Sequence, residues 1–262
     1  MCIELKVFCG RKSWPSGQHT ARNGLFGQIN SLTLVGMDES VLDNPIWHSL
    51  NTIHAYLAAG TPLAKRYPAG VTSFVGTVDH SEAAINDLSQ IFPAGANVRL
   101  LQAQVPSGLP GWKLQYHDEL VQMICERLVP ELEPTLPMVA LTAVDVPDML
   151  GLVELTKPGP FSPQTIEMGR YVGFRQESRL VAMAGERFAV PGYREISAVC
   201  THPYHQGRGY ARQLISYLVN DNLQRGNFPF LHVRAQNTRA YALYETLNFR
   251  ARCRMGLSIF NR

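Results

Sequence analysis

The residues best suited to chemistry lie where a strand pattern over residues 195–201 gives way to a helix pattern. The turn between the two contains Gln206, Gly207, Arg208, Gly209, Tyr210, Ala211 and Arg212. The first N–H groups of a helix have no internal partner, and the helix dipole adds partial positive charge at that end. The two glycines allow a ligand to approach the backbone closely, and the two arginines add cationic donors. The segment therefore predicts a binding site for an anion such as a phosphate.

Two other phosphate-binding patterns fit this segment less well. A dinucleotide-binding G-x-G-x-x-G motif needs a third glycine where Arg212 stands, and an acidic residue at the end of the next strand. That strand ends in Val233 and Arg234, without a carboxylate. The P-loop pattern requires Gly-Lys-Ser/Thr, which the segment lacks. A turn that only caps the helix is the alternative that the loop by itself leaves open.

Residues further along the chain give the loop a context. The segment resembles the GNAT superfamily of N-acetyltransferases, whose Q/R-x-x-G-x-G/A motif is matched by Gln206, Gly209 and Ala211. The later N-x-x-A-x-x-L-Y-E-x-x-G-F signature is matched from residue 237 to residue 249, except that Asn248 replaces the glycine. That position usually needs a left-handed backbone, which Asn tolerates better than most residues. The resemblance is specific over residues 195–260.

The resemblance implies a fold and an activity. The fold is a mixed α/β (α+β) sheet with splayed parallel strands, flanked by helices. The activity is direct attack of a primary amine on acetyl-CoA, bound together with it in a ternary complex. The cofactor-binding residues that it implies are Val199, Cys200, Thr201, Gln206, Gly207, Arg208, Gly209, Tyr210, Ala211, Arg212, Asn237 and Tyr244. A catalytically silent sensor that binds acyl-CoA is the alternative.

Three residues are candidates for the chemistry itself. Tyr244 stands where many family members place the general acid, and a phenol can protonate a leaving thiolate near neutral pH. Glu195 is the candidate general base, since some members place a base on the corresponding strand. Ser197 lies two residues along the same strand, on the same face, where it would position water or substrate. The alternatives are a core aromatic at Tyr244 and a surface carboxylate at Glu195.

Other reactive side chains near the loop favour simpler interpretations. His202 and His205 lack a third ligand at suitable spacing, so no metal is predicted. Cys200 is interpreted as an inert buried thiol, because no Cys–His relay is apparent beside it. His232, on the following strand, is interpreted as a packed histidine.

The elements that position these residues form a regular pattern in a predicted GNAT domain, residues 136–262. Strands are predicted over 138–142, 171–175, 180–186, 195–201, 228–233 and 250–260, and helices over 145–154, over 208–224 and from Asn237 onward. Alternating strands and helices predict an α/β sheet. Acceptor pockets in this family are built around residues corresponding to 145–170 and by the partner lobe.

The first part of the chain is less regular. Residues 41–135 are interpreted as a divergent N-terminal lobe. The whole chain resembles two-lobed members of the family, such as glycine N-acyltransferase-like proteins, and this resemblance implies that the first lobe is a smaller, degenerate GNAT-like α/β lobe. Helices are predicted to begin at residues 43–45 and at Ser81 and to cover 116–128, and a strand is predicted over 98–105. Three prolines in residues 130–137 predict a linker. Residues 1–40 are expected to form a disordered or loosely attached extension.

Composition limits the remaining classes. The net charge of +3 and the lack of basic runs argue against nucleic acid, and no apolar run approaches the roughly 20 residues of a membrane span. Five cysteines without CxxC spacing argue against a disulfide framework and fit a reducing compartment. No secretory signal is visible, so the cytoplasm is expected. The acceptor, a small-molecule amine or a protein amine, and the choice between monomer and homodimer remain open.

Overall fold

The computed structural model describes residues 38–104, 106 and 108–262. Residues 1–37 of the predicted extension lie outside the described residues. The described part contains five α-helices: α1 Pro45–Asn51, α2 Glu82–Gln90, α3 Val146–Thr156, α4 Tyr210–Gln224 and α5 Thr238–Thr246. It also contains eleven strands: β1 Ala59–Gly60, β2 Ala64–Arg66, β3 Val75–Thr77, β4 Asn97–Gln102, β5 Lys113–Cys125, β6 Met138–Leu141, β7 Tyr171–Gln176, β8 Arg179–Val190, β9 Tyr193–Thr201, β10 Phe228–Arg234 and β11 Phe249–Asn261.

Eight of these strands form one mixed sheet in the order β4-β11-β5-β10-β9-β8-β7-β6. The pair β9 and β10 is parallel, and the other neighbours are antiparallel. Strands β1 to β3 form a separate small sheet. The predicted mixed sheet flanked by helices is confirmed.

The sheet joins the two predicted regions of the chain. Strand β5, from the first region, lies between β10 and β11, and β4 pairs with the outer side of β11. The division at residue 135, and the description of residues 41–135 as a degenerate lobe, stay predictions. The structure adds that both regions contribute strands to a single sheet.

The prediction of a helix over residues 116–128 is wrong, because most of this segment belongs to strand β5. Leu120 and Ile124 have helical spacing, which suggested one apolar face. In the structure β5 is paired on both edges, and residues 122–125 are buried on both faces of the sheet. A strand buried on both faces loses the polar–apolar alternation that distinguishes it from a helix.

Strand β8 is buried beneath helices. Helix α1 and helix α4 both pack against it, and eleven of its twelve residues are buried. Ile46 and Leu50 of α1 and Leu214 and Leu218 of α4 are fully enclosed in the main core. In the described part of the chain, no helix is both long and apolar enough to cross a membrane.

Candidate active site

Strands β9 and β10 separate where the predicted site begins. They pair at three positions, the last being Phe230 opposite Glu195. Both strands continue past this point, to Thr201 and to Arg234. Their facing backbone groups are therefore free to bind an extended ligand, because backbone N–H and C=O groups require hydrogen-bond partners. The predicted splaying of the parallel strands is confirmed.

A β-bulge lies on β9 close to the point of separation. The pairing with β8 passes from Gly185 opposite Ser197 to Met183 opposite Cys200, so β9 contains one extra residue. Ala198, within the bulge, has a φ of 52°, in the left-handed region that a residue with a Cβ seldom adopts. Such strain persists only where the surrounding structure enforces it, and it is concentrated at functional sites.

The loop after β9 ends in an uncapped helix N-terminus. Gly207 and Gly209 have φ values of 77° and 78°, and α4 begins at Tyr210, two residues later than predicted. No side chain caps the helix within the described part of the chain. The N–H groups of its first turn therefore remain available to an anion, as the sequence predicts.

One cavity of about 730 Å³ contains both features. Eleven of the twelve predicted cofactor-binding residues line it, and Arg208 does not: the lining members are Val199, Cys200, Thr201, Gln206, Gly207, Gly209, Tyr210, Ala211, Arg212, Asn237 and Tyr244. The predicted catalytic residues Glu195 and Ser197 also line it. The geometry brings these residues together, although their roles stay predictions.

The charge lining the cavity is strongly positive. Among the described lining residues Glu195 is the single carboxylate, whereas the cationic side chains are Lys157, Arg187, Arg212, Arg234 and Arg239. Arg239 was not identified from the sequence, whereas residues 156–160, at the end of α3 and after it, lie within the region 145–170 where the resemblance places the acceptor pocket. An excess of cations in a cleft attracts an anionic ligand.

Helix α5 brings Tyr244 to the cavity. Asn237 caps this helix, since its side-chain oxygen accepts a hydrogen bond from the N–H of Ala240 at 3.1 Å. Burial raises the pKa of the Tyr244 phenol to about 12. Tyr244 therefore stays protonated at any physiological pH, as a proton donor must. Asn248, after the helix, has a φ of 61°, which confirms the predicted left-handed backbone.

Glu195 is held on every side. Its two oxygens accept hydrogen bonds of 2.8 and 2.7 Å from Nε and Nη2 of Arg187. The oxygen Oε1, which accepts from Nη2 of Arg187, also lies 2.7 Å from the ring Nδ1 of His232. The N–H of Phe188 donates a hydrogen bond to the other oxygen, Oε2, at 3.3 Å. His232 is oriented from its other side by Gln122, whose side-chain nitrogen lies 3.0 Å from Nε2. The side chain of Glu195 is 1% exposed.

These contacts describe the surroundings of Glu195, and its role as a general base stays a prediction. Burial opposes ionisation, but the charge and hydrogen bonds of Arg187, together with His232, lower the pKa of Glu195 to about 2. Both of its oxygens are engaged, so the carboxylate holds Arg187 and His232 in place. The interpretation of His232 as a packed histidine agrees with its 2% side-chain exposure.

The other reactive groups near the loop are Cys200 and two histidines. Burial raises the pKa of the Cys200 thiol to about 11, which makes it a poor nucleophile. The rings of His202 and His205 lie 5.5 Å apart. The described residues include no group of three or more His, Cys, Asp or Glu side chains placed to hold a metal ion.

Arg187 is the main site residue that sequence analysis missed. A signal was present, because Glu186 and Arg187 interrupt the otherwise apolar run 180–190, where an unpaired charge would be costly to bury. Its partner lies on a neighbouring strand, so the pairing itself was not predictable. Phe74, Leu101, Leu120 and Leu257 also line the cavity, and their sequence pattern does not distinguish them from core residues.

Comparison with known proteins gives consistent results. The model of the FR47-like protein family matches residues 171–255. A crystal structure of a putative acetyltransferase from the GNAT family, from Novosphingobium aromaticivorans, is 34% identical with a TM-score of 0.78, and the match covers 84% of this chain and 98% of that one. A GCN5-related N-acetyltransferase from Kribbella flavida shares the fold, with 14% identity, a TM-score of 0.57, and coverage of 82% and 93%.

A curated relative is similar over a shorter region. The N-alpha-acetyltransferase RimI of Mycobacterium tuberculosis is 37% identical over 90 residues, which are 33% of this chain. The match spans 54% of the length of that relative.

Proposed function

This chain belongs to the GNAT family of acetyltransferases, and we propose that it transfers the acetyl group of acetyl-CoA to a primary amine by direct attack in a ternary complex. One observation carries the proposal. The open strand pair β9/β10 and the uncapped start of α4 line the same cation-rich cavity. An elongated thioester with a diphosphate at one end needs both features, one for its amide-containing arm and one for its phosphates.

The cofactor contacts follow from this geometry. The backbone N–H groups of residues 210–212, at the start of α4, bind the diphosphate, with Arg212 adding a charged donor. Residues 199–201 on β9 offer unpaired backbone groups to the pantetheine arm, and a backbone donor there stabilises negative charge on the carbonyl oxygen. Acetyl-CoA supplies the thioester carbonyl that the amine attacks. Holding both reactants in one cavity lowers the entropic cost of their encounter.

Tyr244 is proposed as the proton donor to the departing sulfur. The new N–C bond forms as the C–S bond breaks. The amine nitrogen releases one proton to water, which later restores the phenol of Tyr244, and the sulfur gains the proton that Tyr244 donates. The phenol is suited to the last step, because it is protonated and lines the cavity. Ser197, on the face of β9 that also carries Glu195, is proposed to position the amine or a water molecule.

The acceptor class, the cellular compartment and the oligomeric state are also proposals. The acceptor is a small-molecule amine or a protein amine, with no nucleic acid or membrane involved, and the protein acts in the cytoplasm as a monomer or homodimer. The charge of +3 offers no extended basic surface for nucleic acid.

A direct assay tests the proposal. The protein is incubated with acetyl-CoA and a pool of primary amines, free CoA thiol is measured, and acetylated products are identified by mass spectrometry. The control contains acetyl-CoA and protein without amine, which measures simple hydrolysis. We expect thiol release that depends on the amine and matches product formation. Binding of acetyl-CoA without amine-dependent thiol release would contradict the proposal and would indicate a sensor instead.

A further inference from the structure

The cavity extends beyond the residues assigned to acetyl-CoA, to four apolar side chains: Phe74, Leu101, Leu120 and Leu257. We call this group the apolar chamber. Leu101 of β4 lies directly opposite Leu257 of β11, so the two side chains share one face of the sheet. Leu120 of β5 lies opposite Met255, two positions from Leu257 and therefore on the same face. Leu101, Leu120 and Leu257 thus form a continuous patch of the large sheet, and Phe74, which directly precedes β3, completes the chamber.

The chamber lies outside the part of the chain that matches the FR47-like family. That match covers residues 171–255, and none of the four chamber residues falls within it. Three of them belong to the first half of the chain, whose strands β4 and β5 complete the large sheet. The residues that shape this end of the cavity therefore lie outside the region that the family model matches.

The guanidinium of Arg187 lies beside Phe74, the aromatic residue of the chamber. The guanidinium carbon of Arg187 lies 5.0 Å from the centre of the Phe74 ring, and its Nε and Nη2 are occupied by Glu195. Nη1 makes no hydrogen bond to the residues that the structure describes, and it is not among their fully buried, unpartnered atoms. A guanidinium N–H so placed favours an oxygen acceptor from a ligand.

The chamber is also close to the place where acetyl transfer would occur. Glu195, which holds Arg187, is four residues from Val199 on β9, and a strand rises by about 3.3 Å per residue. The Cα atoms of Glu195 and Val199 are thus on the order of 13 Å apart, and closer where the bulge at Ala198 shortens the strand. The chamber and the residues assigned to acetyl-CoA line the same cavity, so an acceptor in the chamber shares that cavity with the thioester.

We propose, on the basis of the proposed function, that the apolar chamber binds the acceptor, which is a primary amine with an apolar group and a carbonyl or carboxylate oxygen. The apolar group contacts the chamber, and the oxygen accepts a hydrogen bond from Nη1 of Arg187. The apolar walls also favour the neutral form of the amine, the form that attacks. The α-amino group of an apolar amino acid and that of a peptide beginning with one share this chemistry.

The same geometry disfavours a polycationic acceptor. Among the described residues that line the cavity, the one carboxylate is Glu195, and both of its oxygens are engaged by Arg187 and His232. A second ammonium group would therefore enter the chamber without a counter-charge, next to Arg187. Burying an unpaired charge is strongly unfavourable.

The first test compares acceptors with the unmodified protein. The acceptors are L-leucine, leucyl-glycyl-glycine, isopentylamine, glycine and spermidine, assayed with saturating acetyl-CoA. We expect kcat/KM for L-leucine or for the tripeptide to exceed that for isopentylamine, which lacks the oxygen, by about tenfold or more. Glycine and spermidine, which lack the apolar group, should be slower by a similar factor. The faster of the first two identifies the source as a free amino acid or a peptide N-terminus.

A pair of variants tests the location. Leu257→Trp should fill the chamber and lower kcat/KM for the favoured acceptor about tenfold or more, with the Kd for CoA unchanged. Leu155→Trp is the matched control, because Leu155 is 52% exposed and does not line the cavity. Arg187 is not replaced, since its removal would leave the buried Glu195 unpaired and the protein unstable.

The outcomes separate the inference from the proposed function. Isopentylamine or spermidine matching both leucine compounds would overturn the inference while leaving the acetyltransferase intact. Unchanged acceptor kinetics in Leu257→Trp would place the acceptor elsewhere and would also overturn it. Failure of every amine to release thiol from bound acetyl-CoA would instead refute the proposed function, and the inference with it.

Discussion

Glu195 and Arg187 face each other in a bidentate ion pair, with nitrogen-to-oxygen distances of 2.8 and 2.7 Å, and both residues line the cavity. Their side chains are 1% and 11% exposed. The pair contributes no net charge, yet each member depends on the other, because neither is fully solvated. The site is therefore sensitive to any change that removes one partner.

Replacing Glu195 by Gln should destabilise the protein by about 3–5 kcal/mol, because the guanidinium of Arg187 would remain buried without its counter-charge. The free energy of unfolding from urea titration measures the effect. Glu245→Gln is the control: Glu245 is exposed, and no ion pair to it is found among the described residues. A change below about 1 kcal/mol in Glu195→Gln would show that the pair is not essential to the fold.

The difference in the free energy of unfolding between the unmodified protein and Glu195→Gln should depend on pH. A carboxylate whose pKa is lowered on folding contributes stability that is present above its unfolded pKa of about 4.5 and is lost as the pH falls towards 2. The stability gap between the unmodified protein and Glu195→Gln should therefore narrow from pH 4.5 downward. A gap that stays constant to pH 2.5 would contradict the lowered pKa.

His54 should make the protein less stable in mild acid. Burial lowers the pKa of His54 to about 4, and the nearby Arg194 acts in the same direction. The unfolded chain then binds a proton between pH 6.5 and 4 that the folded protein excludes, so stability falls over that window by roughly 3 kcal/mol. His54 is 2% exposed. Its ring Nδ1 contacts the hydroxyl groups of Ser49 and Tyr67, and its Nε2 contacts the carbonyl oxygen of Met168.

The measurement is the free energy of unfolding at pH 7, 5.5 and 4 for the unmodified protein and for His54→Gln. The variant should lose this part of the pH dependence, whereas His117→Gln, at an exposed position, should retain it. Equal slopes in the unmodified protein and His54→Gln would refute the assignment.

Gly209→Ala should weaken CoA binding about tenfold. Gly209 has a φ of 78°, and an added Cβ would meet only the Gln213 side chain at 3.6 Å, so the substitution acts mainly through the backbone conformation. Relaxing that conformation turns the N–H groups at the start of α4 away from the diphosphate. Isothermal calorimetry with CoA measures the change.

Gly226→Ala is the matched control at the opposite end of α4. Its φ is 74°, and no atom lies within 4 Å of an added Cβ. Both variants should lose about 1 kcal/mol of stability, since a left-handed residue with a Cβ is strained. Only Gly209→Ala should lose CoA affinity, and equal affinities in the two variants would remove the loop from the binding site.

Tyr244→Phe should lower kcat by about 100-fold at saturating acetyl-CoA while changing the Kd for CoA little, because it removes a proton donor and leaves the ring. Since the phenol has a pKa of about 12, the unmodified enzyme should show no loss of this acid up to pH 10. The adjacent Tyr241, which does not line the cavity, provides the control Tyr241→Phe. Unchanged turnover of Tyr244→Phe across pH 6–9 would exclude the proton-donor role.

The sequence by itself determined the features that depend on neighbours in the chain. The turn proposed to bind phosphate follows from two glycines at the start of a helix, and the left-handed Asn248 and the Asn237 cap follow from local backbone preferences. The strands and helices of residues 136–262 were also predictable, because their apolar residues repeat with clear periods.

Only the tertiary structure decided the partners of these elements. Strand β5 is a strand because β10 and β11 pair with both of its edges, and the local pattern of Leu120 and Ile124 gave no sign of that pairing. Arg187 and His232 reach Glu195 from neighbouring strands, and nothing in the sequence indicated either contact. Contacts between residues distant in the chain set burial and charge, and these in turn set the pKa of a side chain.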